Sequence, residues 1–109
     1  MHQIVIDELS QDDRVSVESY LKQNLTESGM AGVFWLTLPE YLLSGDQQDH
    51  EDCGPFVMAV ELNNEKLQAE LLVRSSTSLH CSCIGYASRQ QREFLLDFLD
   101  RVLEEGGAS

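Results

Sequence analysis

The side chains best suited to chemistry are His50, Cys53, Cys81 and Cys83. His-x-x-Cys is one half-site, and Cys-x-Cys on a strand presents both sulfurs on one face. Together the two would supply the ligands of a tetrahedral zinc shell. The commoner zinc spacing is Cys-x-x-Cys, and thiols on the inner side of a strand serve equally as small hydrophobes. Zinc or thiol chemistry at these four residues is therefore the alternative reading, and no cofactor is expected. Four carboxylates, Asp46, Asp49, Glu51 and Asp52, crowd the loop that holds His50. The central glycine that lets a calcium loop wrap its ion is missing, which leaves a solvated anionic loop. That acidity also disfavours a thiolate at Cys53. His2, at the terminus, and His80, which alternates away from the cysteines, have the pattern of surface residues. The sequence contains no Gly-x-Ser-x-Gly elbow, glycine-rich phosphate loop or His-Glu-x-x-His helix, so the expectation is a protein that is not an enzyme.

The elements that must position these residues follow from hydrophobic periodicity. Phe56, Met58, Val60 and Leu62 are apolar at every second place, and the alternation resumes after Asn63-Asn64 with Leu67, Ala69, Leu71 and Val73. Asn tolerates positive φ, so a two-residue hairpin turn is expected, with Val60 opposite Leu67, Met58 opposite Ala69 and Glu61 opposite Lys66 as a cross-strand ion pair. A third run, Leu79 to Ala87, follows a short polar connection. Pairing Leu79 with Val73 would place Cys81 opposite Leu71 and Cys83 opposite Ala69, on the buried face. Ser88 and Gln91 form a capping box that starts a helix, whose core stripe is Phe94, Leu95, Phe98, Leu99, Val102 and Leu103 and whose end is Gly106-Gly107.

Earlier in the chain, Ile4 and Ile6 mark a short strand. Ser10 and Asp13 start a helix carrying Val17, Tyr20, Leu21 and Leu25, expected to run to Ser28 and stop at Gly29. Val33 to Leu38 is apolar on both faces apart from Thr37, as in a strand shielded on both sides, and its Trp35 is expected in the core. Pro39 leads into a single helical turn over Glu40-Tyr41-Leu42-Leu43, and Ser44 to Pro55 is a surface loop. The reading is a single domain over residues 1–109 of α+β class. It has a five-stranded, mainly antiparallel sheet and two helices in the order β-α-β-β-β-β-α.

Composition bounds the function. The 109 residues include 42% hydrophobic ones, ordinary globular material large enough for one core. No apolar run is long enough to cross a bilayer and no secretory signal pattern is present. With an odd number of cysteines, this points to reduced thiols in the cytoplasm. The net charge of −12 is uneven: residues 1–55 carry eleven acids and two bases, residues 56–109 eight acids and five bases. Such a field repels nucleic acid and anionic membranes and attracts a basic protein surface. It also keeps a small domain soluble.

From Leu67 to Leu103, a strand ending Leu-Leu-Val-Arg, a return strand with Cys-Ile-Gly-Tyr and a helix beginning Ser-Arg-Gln-Gln-Arg resemble the last third of PilZ-type domains. The resemblance implies, as an alternative fold, a β-barrel with a C-terminal helix, and as a function, binding of a cyclic dinucleotide. That family's Arg-x-x-x-Arg and Asp/Asn-x-Ser-x-x-Gly elements do not occur in this sequence, so its ligand is not carried over. The resulting expectation is a small acidic protein-interaction or regulatory module. Its contact surface would be Asp46, Asp49, Glu51 and Asp52 with Tyr41 as aromatic anchor, its partner a protein with a basic surface. An unpaired sheet edge would also admit a homodimer.

Overall fold

Two capping boxes, both visible in the sequence, open the two long helices and fix how they meet the sheet. In a computed structural model that describes residues 3–49, 51–77 and 84–105, the Ser10 hydroxyl accepts from the Asp13 amide at 3.1 Å while Asp13 accepts from the Ser10 amide. Ser88 and Gln91 do the same at 3.2 and 2.9 Å. Each box satisfies amides that a helix start otherwise leaves unpaired. In chain order the elements are β1 (Gln3–Ile6), α1 (Gln11–Asn24), β2 (Thr26–Glu27), β3 (Val33–Thr37), a 3-10 turn (Glu40–Leu42), α2 (Gly45–Gln48), a second 3-10 turn (Glu51–Cys53), β4 (Phe56–Leu62), β5 (Leu67–Glu70), β6 (Leu72–Ser75), β7 (Gly85–Tyr86) and α3 (Arg89–Glu105).

The strands form an open antiparallel sheet in the order β1-β5-β4-β3-β2, with β6 beside the first half of β4 and β7 beyond β6. One face is the core. Phe34, Leu36, Phe56, Met58, Val60, Leu62, Leu67, Ala69 and Val73 pack there against Val17 and Leu21 of α1 and Leu95, Phe98, Leu99 and Val102 of α3. Tyr20 of α1 meets Phe98 of α3 with ring centroids 6.2 Å apart. This is a single α+β domain, as the order of strands and helices predicts. No helix among the described residues is long and apolar enough to cross a membrane.

Four expectations need correction. First, the described residues form about seven short strands where five were expected, because Leu67–Ser75 is interrupted at Leu71 and because Thr26–Glu27 pairs with Phe34 and Trp35. Second, α1 therefore stops at Asn24 rather than Ser28. Leu25 is already extended, and Gly29, at φ 94°, turns the β2–β3 hairpin instead of ending a helix. Third, the β4–β5 register differs by two residues: Leu62 opposes Leu67 and Val60 opposes Ala69. The Asn63 side chain accepts from the amides of Glu65 (3.3 Å) and Lys66 (3.1 Å), which closes a four-residue loop. An even shift leaves every side chain on its expected face, so the apolar pattern survives while Glu61 opposes Gln68 instead of Lys66. Fourth, Val73 pairs with Gly85, not Leu79, and the strand partners of Ala69 are Ile4 and Val60. Cys81, Cys83, His2, His50, His80, Gly106 and Gly107 lie outside the described residues.

Candidate interaction surface

The helices occupy one face of the sheet, and the residues of the other face can be ranked by register. Gln3 of β1 stands opposite Glu70 of β5, and Gln68 of β5 stands between Val5 and Glu61. On the far side Glu61 faces Val33, Ala59 faces Trp35 and Val57 faces Thr37, while Arg74 of β6 is the other neighbour of Val57. The middle of this face is apolar, with Val57 and Ala59 buried and Val33 and Trp35 half-buried, and its outer positions are polar.

The surface is also concave. From Val60–Ala69 to Val57–Arg74, the β4 residues Met58 and Ala59 span the same distance as Glu70, Leu71, Leu72 and Val73, so the second strand must swing away from β4 before rejoining it. Ala59, the smallest side chain of the row, lies where it does so, between the tall Trp35 and the Glu70–Arg74 pair. The result is a hollow of about 590 Å³ over Trp35, Val57 and Ala59, walled by Glu61, Glu70, Arg74 and Gln3 and reached by Ile84. Within it the Arg74 guanidinium donates through one nitrogen to both Glu70 oxygens, at 2.9 and 3.3 Å, with both side chains more than a third exposed. An ion pair so exposed contributes about 0–1 kcal/mol. Glu61 is exposed and has no ion-pair partner among the described residues.

The acidic segment adjoins this hollow. Ser44 and Gln47 form a third capping box, at α2. Gln91, buried at the start of α3, donates from Nε2 to the Leu42 carbonyl (2.8 Å) and to Gln47 Oε1 (3.0 Å), so one glutamine joins two helix starts. The other end of the segment is tied to β6. The Ser75 hydroxyl donates to the Cys53 carbonyl, Ser76 Oγ to the Pro55 carbonyl at 2.8 Å, and Thr77 Oγ1 to the Asp52 carbonyl at 3.1 Å. Ser75 and Ser76 also border the hollow, so the segment is tied to its wall.

Of the expected contact residues, Tyr41 is 79% exposed on the first 3-10 turn, and Asp49 and Asp52 are exposed. Asp46 lies in α2 and Glu51 opens the second 3-10 turn. Tyr41 borders a shallower depression of about 1120 Å³ with Glu40, Gln48 and Pro55. Of the four expected metal ligands only Cys53, half-buried, falls within the described residues, and among those residues no group of three or more His, Cys, Asp and Glu side chains is placed to hold a metal ion. Trp35 departs from its expected place in the core, since it lines the hollow. The signal that points there is the out-of-phase pair Val57 and Ala59, apolar on the β4 face that alternation reserves for polar residues, beside Val33 and Trp35. Comparison with protein-family models, with curated proteins and with solved structures finds no match for this chain.

Proposed function

We propose that the protein is a non-catalytic interaction module that receives a basic segment of a partner protein on the open face of its sheet. The observation that carries this reading is the hollow itself. It pairs an apolar floor of Trp35, Val57 and Ala59 with carboxylate walls, in a chain of net charge −12. An apolar, concave patch bounded by polar groups is the usual form of a binding surface, and the surrounding field raises the encounter rate with cations. Asp49 and Asp52, both exposed, add to the overall negative field.

Trp35 is the only tryptophan, so its fluorescence reports on the hollow directly. A capped peptide of alternating serine and arginine should shift and saturate that emission, more weakly as salt rises, while a serine–glutamate peptide should leave it unchanged. Absence of any response to the basic peptide removes the reading. The zinc alternative is decided by elemental analysis with thiol titration. Stoichiometric zinc, with thiols that react only after chelation, would make His50, Cys53, Cys81 and Cys83 the centre of the protein instead. The outer edge of β1, unpaired among the described residues, supports a second copy as another partner, and a sedimentation mass of twice the monomer would establish it.

A further inference from the structure

The open face carries a more specific feature than a generally anionic groove, and it rests on the reading above. Ala59 is the low point of the hollow. Trp35 rises directly across the strand pair from it, and Glu61, two residues along β4, projects from the same face. Opposed and diagonal neighbours on one face of a sheet lie about 5 and 7–8 Å apart, a gap that one flat cationic group fills. The hollow already holds one such group, since Arg74 reaches in from β6 and pairs with Glu70 at 2.9 Å. Glu61, by contrast, forms no ion pair among the described residues, not even with Lys66, its diagonal neighbour on β5's side of the turn.

We propose that the space over Ala59 is the seat of an arginine side chain from the partner, its guanidinium stacked on the Trp35 indole and hydrogen-bonded to Glu61. Guanidinium fits better than ammonium. It is planar, stacks on aromatic faces and is more weakly hydrated, so entering a half-buried site strips less water from it. Arg74 and Glu70 form the far wall and hold the seat to the width of a single group. Charge complementarity selects this occupant over an acidic segment or a second copy of a chain that carries −12.

The test uses the full chain and two capped peptides, one of alternating serine and arginine, the other with citrulline, the neutral isostere, in place of arginine. Binding is followed by Trp35 fluorescence and by calorimetry. The citrulline peptide should bind at least about tenfold more weakly, and Ala59→Leu, which fills the seat, and Glu61→Gln should each weaken the arginine peptide about tenfold. Asp97→Asn removes the same charge from the exposed side of α3, across the sheet, and should change affinity less than about twofold. If Glu61→Gln and Asp97→Asn lose equally, or if citrulline binds as well as arginine, the seat is wrong while the interaction module stands. If no basic peptide binds the wild type, both fall. Glu61 is exposed, so its variant decides the matter even where Ala59→Leu disturbs folding.

Discussion

Gln91 shows how much one side chain can hold. It caps its own helix, and its amide nitrogen satisfies the Leu42 carbonyl and Gln47 Oε1 in a buried site. Gln91→Ala leaves both acceptors without that donor and should cost about 2 kcal/mol in urea unfolding. Met58, fully buried on the central strand, belongs to a different class, and Met58→Ala should cost about 2–5 kcal/mol through lost burial and a residual cavity. The two hairpin glycines separate backbone strain from collision. Both have positive φ, but a Cβ on Gly29 meets nothing within 4 Å, whereas one on Gly32 would lie 2.6 Å from the Leu62 carbonyl oxygen. Gly29→Ala should therefore lose about 1 kcal/mol, and Gly32→Ala clearly more in the same denaturation series, because the Gly32 carbonyl also accepts from the Leu62 amide at 2.8 Å.

Among the described elements, β4 is the longest strand and pairs with three others. It pairs with β3 on one side and with β5 and then β6 on the other, and both faces of its central residues are buried. Its amides should exchange hydrogen last, near the global unfolding free energy, while those of two-residue β2 and β7 exchange by local opening. Amides of β2 as protected as those of β4 would contradict this arrangement. The helix starts admit a parallel comparison. Ser10→Ala removes an acceptor at α1 and should cost about 1 kcal/mol, as N-cap losses do. The break between β5 and β6 lies beside the hollow, so the same irregularity that interrupts a strand shapes a concave, apolar-floored surface on the open face.

The whole molecule is dominated by its charge. With 19 acids against seven lysines and arginines, its compact state repels itself, and the described residues supply only two ion pairs, Glu70–Arg74 and Arg89–Glu93, to offset this. Raising sodium chloride from low to moderate concentration should raise the thermal midpoint by a few degrees, the opposite of what a fold held by surface ion pairs would show. The same salt should weaken a basic partner, so stability and binding are expected to move in opposite directions in one titration series.

The sequence alone determined features that depend on local chemistry: the capping serines at 10 and 88, the amphipathic stripes of α1 and α3, and the apolar phase of β4 and β5. Each is settled within a few residues by hydrogen bonding or by the spacing of side chains. Tertiary structure decided the rest. The β4–β5 register turned on the Asn63 side chain, and because the shift was even, a correct face assignment concealed an incorrect pairing. The end of α1 turned on Thr26 and Glu27 finding β3, a pairing no local preference reveals. Most consequentially, Val33 to Leu38 reads as a strand shielded on both sides with Trp35 in the core, since apolar residues on both faces have the same sequence pattern whether a second layer covers them or they line a hollow. Only the placement of both long helices on one side, together with the break at Leu71, distinguishes the two, and both depend on contacts between residues far apart in the chain.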